Sequence, residues 1–395
     1  MTNPSESHPL RDRLRQAWGA AEFVSLTLSL PAGESDLRKI KVRPVLLKKG
    51  WAFSIVRCRQ IQELTTNLPP EAAVEWISKE FPVRWGEAHL FTLSGDFKFR
   101  RTSDGSVKQR KSRPTFTRAP DSSHDREHPL RSAFESEPFL RRLGVVNPGG
   151  QPRPGMAGKL RQIVRFVELV GHLMDSLPRD VLRPVQVADM GAGKGYLTFA
   201  LARAFEMRRW DADIVGVEAR KELVESGNAL AHELGFASLR FAHGKIGEWN
   251  AINGLDVLVA LHACDTATDD ALFYGVKAGA SLILTSPCCH KEVRAQLEAP
   301  EFLEGILKHG ILQERQAEII TDGIRALALE SCGYDARVFE FVDPEHSGKN
   351  LMLAATRRKN AVASRFYPSE KLNVVMRQFG VGRQHLVELL KTIAQ

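Results

Sequence analysis

Short apolar strands alternate with helices from Lys159 onward, and this alternation limits the fold more than any other feature of the sequence. Residues 159–177 space apolar side chains at helical intervals, PVQVADM follows as a short buried strand, and YLTFALARAFEM has the pattern of a helix. Four more strand-like segments follow, ADIVGVEA, ASLRFAHG, LDVLVALHAC and ASLILTSPCC, with a helical segment after each except ASLRFAHG. Because crossover helices cover both faces of a parallel sheet, this order predicts a doubly wound α/β fold.

The rest of the 395-residue chain lies on both sides of this α/β region and is divided into further segments. Residues 1–105 contain several strand-like segments and one helix, which predicts a small β-rich domain. Residues 106–158 are polar and rich in Ser, Pro, Arg and Gly, as expected of a linker, with one short helix near residues 132–143. We assign residues 159–358 to the α/β domain, whose last two strands have β-hairpin character, and residues 359–395 to a C-terminal helical extension docked on its core.

Cysteine content and hydropathy indicate the cellular compartment of the protein. The five cysteines, two of them adjacent, do not form the pattern of a disulfide framework, which predicts a cytoplasmic protein. The first residues lack an apolar stretch of signal-peptide length, and no later run approaches the ~18 apolar residues of a membrane span. We therefore expect no membrane partner.

The positive charge is concentrated at both ends of the chain. Residues 1–150 hold 25 Lys and Arg against 17 Asp and Glu, and residues 351–395 hold 8 against 2, whereas the middle is mildly acidic. The densest stretch, residues 98–118, has eight basic residues and one acidic residue, with phenylalanines interleaved. Cations neutralise phosphates and aromatic rings stack on bases, so this stretch and the basic C-terminal tail predict RNA as a partner. A solvated basic loop is the alternative.

A glycine-rich loop stands between the first strand and helix of the α/β region. Asp189 lies two residues before the GAGKG loop of residues 191–195, and Glu218 ends the next strand. The spacing is GxGxG rather than GxGxxG, and no Gly-Lys-Ser/Thr follows, which disfavours dinucleotide and Walker sites. An acid before the loop would repel a pyrophosphate but can hold the cationic methionine end of S-adenosylmethionine, while Glu218 can accept both ribose hydroxyls.

Five motifs, in order, resemble the class I S-adenosylmethionine-dependent methyltransferases: VADMGAGKGYLTFAL, GVEAR, LHACDTATDDA, SPCCHKE and EHSGKNLML. More narrowly, they resemble a methyltransferase-like group that includes the eukaryotic tRNA 2′-O-methyltransferase of the acceptor stem. The resemblance spans about residues 159–357 and implies a Rossmann-like seven-stranded methyltransferase sheet. The zinc-finger modules of the tRNA enzyme have no counterpart in this sequence.

The resemblance also implies a set of cofactor-binding positions. Asp189 and the loop glycines correspond to the methionine end of S-adenosylmethionine, Glu218 to the ribose, and the residues after the third strand to the adenine pocket. The cofactor-binding candidates are Asp189, Gly191, Gly193, Gly195, Glu218, His243, Gly244 and Lys245.

The residues after the fourth and fifth strands should face the transferred methyl, because ligands meet the carboxyl ends of strands in an open α/β sheet. Asp265 and His262 suit the role of a base toward a hydroxyl. Lys159, Lys291 and Glu345 would complete with Asp265 a set like that of other RNA 2′-O-methyltransferases. Lys349 and Asn350, in the turn before the last strand, are candidates for contacting nucleic acid.

The cysteines allow three interpretations. Cys288 or Cys289 could attack C6 of a pyrimidine, as in cytosine C5 methylation. Cys264, Cys288, Cys289 and His290 could bind zinc, although adjacent ligands make tetrahedral closure awkward. The interpretation we favour is that the thiols shape the pocket wall, with no metal.

These observations predict a methyltransferase of structured RNA, tRNA or rRNA, that modifies a ribose 2′-oxygen. The alternatives are a methyltransferase of a protein or small molecule, cytosine C5 methylation of RNA through a cysteine, and a non-enzymatic RNA-binding module with a relict cofactor fold.

Overall fold

The computed structural model describes residues 8–32, 37–47, 49–59, 63–118, 133–175, 177, 183–248, 254–261, 263–341, 351–359 and 366–393. The chain forms two compact units, Met1–His128 and Pro129–Gln395. No helix in the described residues has the length and apolarity needed to cross a membrane.

The first unit is built on an antiparallel sheet. Its strands are Phe23–Pro31 (β1), Leu37–Leu47 (β2), Gly50–Arg59 (β3), Glu63–Leu68 (β4), Trp85–Thr92 (β5), Asp96–Arg101 (β6) and Val107–Ser112 (β7). They lie in the order β4-β3-β2-β1-β5-β6-β7, and each neighbouring pair is antiparallel. Two helices, Pro9–Gly19 (α1) and Pro70–Glu80 (α2), complete the unit. The predicted β-rich region is therefore present.

The core of this unit follows from alternation in the strands and from one apolar stripe on each helix. In β1, Leu26 and Leu28 are fully buried while their neighbours are half-buried, the period-2 pattern of a strand with one covered face. Leu10 and Leu14 on α1 belong to the same apolar cluster. The sequence analysis did not predict α1, because only three of its residues are buried and the others are mostly polar.

Strand β7 corrects the predicted start of the linker. Residues 107–112 pair with β6 along their whole length, although they were assigned to the polar linker of residues 106–158. Five of the six residues of β7 are exposed. An edge strand exposed on both faces has no apolar alternation to reveal it, so a polar sequence conceals it.

The second unit is built on a mixed seven-stranded sheet, as predicted. Its strands are Val185–Met190 (β8), Ala212–Glu218 (β9), Leu239–His243 (β10), Val257–Ala260 (β11), Leu282–Thr285 (β12), Tyr334–Glu340 (β13) and Leu351–Arg357 (β14). The order is β10-β9-β8-β11-β12-β14-β13. The first five strands in this order are parallel, and β14 is antiparallel to both of its neighbours. The hairpin character predicted for the last two strands is confirmed.

Helices connect and cover this sheet. They are Pro138–Arg142 (α3), Ala157–Asp175 (α4), Tyr196–Met207 (α5), Lys221–Glu233 (α6), Thr266–Lys277 (α7), Lys291–Arg294 (α8), Glu304–Leu307 (α9), Gly310–Ser331 (α10), Glu370–Gln378 (α11) and His385–Lys391 (α12). The continuous helix predicted from His290 is instead broken, and α8 ends after one turn. The long crossover helix is α10, which leads into β13.

The C-terminal helices pack where the sequence analysis expected them. Leu386, Val387 and Leu390 on α12 are buried in the cluster that contains Leu258 of β11 and Ile283 of β12. The Gln384 side chain accepts a hydrogen bond from the Val387 N–H at the start of α12 and donates one to Asp269 on α7. The extension therefore belongs to the core of the second unit.

Candidate active site

The GAGKG loop makes a tight turn between β8 and α5. Gly191, Gly193 and Gly195 all adopt positive φ angles, of 76°, 59° and 79°. Side chains strain such a backbone, and a Cβ on Gly195 would lie 2.7 Å from the Phe241 ring. Glycine is thus required at this turn for conformation and for close packing. The N–H groups of Gly191, Gly193 and Gly195 all donate within the protein, to Val217, Glu218 and Ala192.

Asp189 lies at the end of β8, beneath this loop. Its side chain is buried and accepts a 2.7 Å hydrogen bond from the Thr198 hydroxyl on α5. Burial raises the pKa of Asp189 to about 6; the Thr198 hydrogen bond opposes that shift, and the negative charge of Glu218 adds to it. A cationic group bound beside Asp189 would favour the charged carboxylate. The site therefore suits a positively charged amino group.

Glu218 lies at the end of β9, next to the loop. One carboxylate oxygen accepts the Gly193 N–H at 2.8 Å, and the other accepts the Arg220 N–H and Nε at 3.0 and 2.8 Å. Burial works against ionisation, but the hydrogen bonds from Arg220 and Gly193 outweigh it and lower the pKa of Glu218. Glu218 is therefore a fixed carboxylate, and its remaining lone pairs can accept hydroxyl groups.

A cavity of about 340 Å³ opens at this edge of the sheet. Its lining includes Gly191, Glu218, Gly244, Lys245 and Asp270. The volume lies within the roughly 300–1,000 Å³ of small-molecule sites. Asp189 lines a separate small pocket that shares Gly191 with this cavity. With the fixed carboxylate of Glu218 in the cavity wall and the buried acid in the neighbouring pocket, the donor set fits a nucleoside that carries a cationic amino-acid end.

Of the three candidates that follow the third strand of the sequence pattern, His243 is not among the residues that line the cavity. The His243 ring is exposed, and its Nε2 lies 3.0 Å from the backbone oxygen of Ala219. Asp270 on α7 lines the cavity but was not among the predicted residues. Its place in the first turns of the helix after β11 was the available signal, since that helix begins at the same sheet edge.

Asp265 lies in a strained loop between β11 and α7. Its φ is 53° and its ψ −122°, a conformation that side chains rarely adopt. Arg325 on α10 donates a 2.9 Å hydrogen bond from Nη2 to the Asp265 carbonyl, and the Glu292 N–H lies 3.4 Å from Asp265 Oδ1. The loop is therefore held from two helices.

The other predicted catalytic residues are less closely grouped. Lys159 Nζ lies 5.6 Å from the centroid of the Tyr196 ring and donates to Gln162, and burial lowers the pKa of Lys159. Lys291 is exposed at the start of α8. Among the described residues, no hydrogen bond or ion pair joins Lys159, Asp265 and Lys291. His262, Glu345, Lys349 and Asn350 lie outside the described residues.

The cysteines converge at the ends of β11 and β12. Cys264 Sγ lies 3.0 Å from Cys288 Sγ, which lies 3.7 Å from Cys289 Sγ. Burial, followed by hydrogen bonding to the neighbouring thiols, raises the pKa of Cys288 to about 12. A thiol with that pKa is almost fully protonated at neutral pH, which weighs against Cys288 as a nucleophile. His290 is buried, with Nε2 3.2 Å from Asp322 Oδ2.

Comparison with known proteins gives one family match. Residues 158–296, which run from α4 through α8, match a family model described as a methyltransferase domain. No curated protein matches the chain. The match confirms a methyltransferase domain in this segment, of the class that uses S-adenosylmethionine as its cofactor. It does not extend to the first unit or identify a substrate.

Several solved structures are similar to the chain at low identity. Magnesium protoporphyrin IX methyltransferase from Synechocystis PCC 6803, with bound SAM, is 16% identical, with 60% of this chain and 100% of that chain covered and a TM-score of 0.35. Geranyl diphosphate methyltransferase, in complex with GPP and sinefungin, is 16% identical, with 54% and 85% covered and a TM-score of 0.35. The YcgJ protein from Bacillus subtilis is 12% identical, with 49% and 98% covered and a TM-score of 0.30. Scores this low carry no argument about substrate.

Proposed function

We propose that this protein is an S-adenosylmethionine-dependent methyltransferase of structured RNA. The observation that carries the methyl-transfer part is the joint position of Asp189, the glycine turn and Glu218 at the carboxyl edge of the parallel strands. Ligands bind at that edge in open α/β sheets. The bound cofactor supplies an electrophilic methyl group on a sulfonium.

The residues of this chain hold and orient that cofactor in the proposal. Asp189 binds the amino group of the methionine end, and Glu218 accepts the ribose hydroxyls. Gly193 contributes indirectly, because its N–H fixes the Glu218 carboxylate at 2.8 Å. A fixed acceptor loses less conformational freedom on binding than a mobile one, which favours affinity.

The RNA part rests on a basic face of the first unit, formed by Lys98, Arg100, Lys108 and Arg110. Lys98 opposes Arg110 and Arg100 opposes Lys108 across β6 and β7, so the four side chains project from one side of the sheet. Lys98 and Arg100 share the Glu87 carboxylate, at 3.0 and 3.4 Å. Lys108 and Arg110 have no ion pair with an acid in the described part of the chain. The basic face thus keeps positive charge available for phosphates.

Aromatic rings lie on the same side of the sheet as the basic face. His89 opposes Lys98 across β5 and β6, and the His89 and Phe91 ring centroids are 4.0 Å apart. Phe116 meets Phe91 edge-on at 5.8 Å. All three rings are half-buried. Cations beside partly exposed aromatic rings are typical of surfaces that bind RNA backbones and stack bases.

Ribose 2′-O-methylation is the reaction we assign to this site. Asp265, in the loop between β11 and α7, would accept the hydroxyl proton as the oxygen attacks the methyl group and the bond between that methyl and the sulfonium sulfur breaks. The raised pKa of Cys288 weighs against that residue as the nucleophile of cytosine C5 methylation.

The test is transfer of a tritiated methyl group. Full-length protein is incubated with labelled S-adenosylmethionine and total RNA from a strain that lacks the gene, and the nucleosides are separated by mass spectrometry. The Asp189→Asn variant, checked for folding by circular dichroism, is the control. We expect a labelled 2′-O-methyl nucleoside with the wild-type protein and none with the variant.

Each other outcome overturns a different part of the proposal. Tritium in 5-methylcytidine would support RNA as the substrate, but it would identify a cysteine rather than Asp265 as the catalytic residue. Unlabelled RNA, with cofactor binding intact, would direct the search to proteins and small molecules. Failure to bind the cofactor at all would identify an RNA-binding module with a relict fold.

A further inference from the structure

Three thiols from two loops meet at the carboxyl edge of the second unit's sheet. Cys264 follows β11, and Cys288 and Cys289 follow β12; their sulfur atoms all lie within 4.8 Å of one another. The sequence analysis expected adjacent cysteines to close poorly on one ion. The Cys288 and Cys289 sulfurs nevertheless lie 3.7 Å apart, on the same side of the chain.

These distances correspond to those of a metal–thiolate site. Zn–S bonds of about 2.3 Å in tetrahedral geometry place the sulfur atoms about 3.8 Å apart. The observed separations of 3.0 Å and 3.7 Å are shorter than that spacing by about 0.8 Å and about 0.1 Å. A disulfide would use only two of the three sulfurs and would leave the third unexplained.

The two loops are fixed before any ion binds. The parallel strands β11 and β12 are paired along their length, and the Ser286 N–H donates to Ala260 across them at 3.3 Å. The Ser286 hydroxyl donates to the Leu351 carbonyl at 2.8 Å. On the other loop, Arg325 holds the Asp265 carbonyl next to Cys264. Ligands mounted on such anchored loops need little rearrangement.

We propose that Cys264, Cys288 and Cys289 bind one Zn²⁺ ion as thiolates. Each thiol releases its proton to solvent on binding, and no electron is transferred. Cys264 is exposed, which leaves the fourth coordination position to water or to a donor atom of the substrate. His290 is not included as a ligand, because in the described part of the chain the donor atoms that lie within 4.8 Å of one another are those of the three cysteines. The zinc site is independent of whether the substrate is RNA.

The experiment uses untagged full-length protein, fully reduced, because affinity tags and oxidation would both distort metal binding. Metal content is measured after zinc loading and gel filtration, and cobalt is titrated in its place, since Co²⁺ absorption reports tetrahedral thiolate coordination. The variants are Cys264→Ser and Cys288→Ser. Cys332→Ala, in the buried core of the same unit, is the matched control. Circular dichroism checks that each variant is folded.

We expect one zinc per wild-type chain, a cobalt–thiolate spectrum, and loss of both in the two serine variants but not in Cys332→Ala. Folded, reduced wild-type protein that binds no cobalt would overturn the site. So would binding that is unchanged in both serine variants. Peptide mapping that finds a Cys264–Cys288 disulfide in metal-free protein would identify a redox pair instead.

Discussion

Arg325 holds the backbone of Asp265 in place: the guanidinium Nη2 on α10 donates a 2.9 Å hydrogen bond to the Asp265 carbonyl oxygen. The same guanidinium forms a two-point ion pair with Asp269, at 2.8 and 3.1 Å, and contacts Asp322 at 3.1 Å. Arg325 is fully buried. One buried cation therefore joins α10, the helix that leads into β13, to the loop that carries the proposed base.

Replacing Arg325 by Met should destabilise the protein strongly. The change leaves Asp269 and Asp322 buried without their cation, and breaking a buried pair in this way costs about 3–5 kcal/mol. Denaturant unfolding measures the loss. Arg315→Met on the same helix is the control, since Arg315 is exposed and its surface ion pair with Glu318 should contribute little to stability. Equal losses of unfolding free energy in the two variants would show that the buried ion pairs of Arg325 stabilise the protein no more than the exposed pair of Arg315.

Replacing Asp189 by Asn should stabilise the protein at neutral pH in the absence of cofactor. The pKa of Asp189 is raised to about 6 from 3.8, so the folded state disfavours the charged form. At about 1.4 kcal/mol per pKa unit, this costs the wild type roughly 3 kcal/mol above pH 6, and the cost disappears as the pH falls from 6 to 4. The stability advantage of Asp189→Asn should therefore be large at pH 7.5 and small at pH 4.5. An advantage that does not change with pH would contradict the raised pKa.

Replacing Glu218 by Gln should weaken S-adenosylmethionine binding. The variant loses the anion that accepts the Gly193 and Arg220 N–H groups and, in the proposal, the ribose hydroxyls. Hydrogen bonds to charged groups contribute about 1.5–3 kcal/mol, which corresponds to a roughly 10- to 100-fold higher Kd by calorimetry. Glu225→Gln on the exposed face of α6 is the control and should leave Kd unchanged. An unaltered Kd in Glu218→Gln would place the ribose elsewhere.

Replacing Lys108 and Arg110 together by Gln should weaken RNA binding and reduce its salt dependence. Removing two phosphate contacts should lower the slope of log K against log salt by about 1.5. Filter binding at several salt concentrations gives that slope. The double variant Lys277→Gln and Lys308→Gln removes the same charge from exposed positions of the second unit. If both double variants change the slope equally, the effect comes from net charge rather than from the basic face.

Local signals in the sequence located the glycine turn and the two acids beside it. The glycine spacing, the acid two residues before it and the acid that ends the next strand predicted Asp189 and Glu218, and both flank the glycine turn in the structure. Such a signal is reliable because a strand, a turn and a helix are adjacent in the chain, so their geometry depends on short-range conformational rules. Strand β7 escaped the same rules, since an exposed edge strand carries no apolar period.

The sequence by itself determined the two sheet types, the seven-stranded α/β architecture and the position of the glycine turn. Only the tertiary structure decided which distant groups meet. Arg325 and Asp269 are 56 residues apart, and Cys264 and Cys288 are 24 apart. Hydrophobic periodicity specifies which face of an element is buried, but it carries no information on which buried polar groups pair with one another. That pairing is set by the packing of helices against the sheet, where a charge removed from water must find a partner.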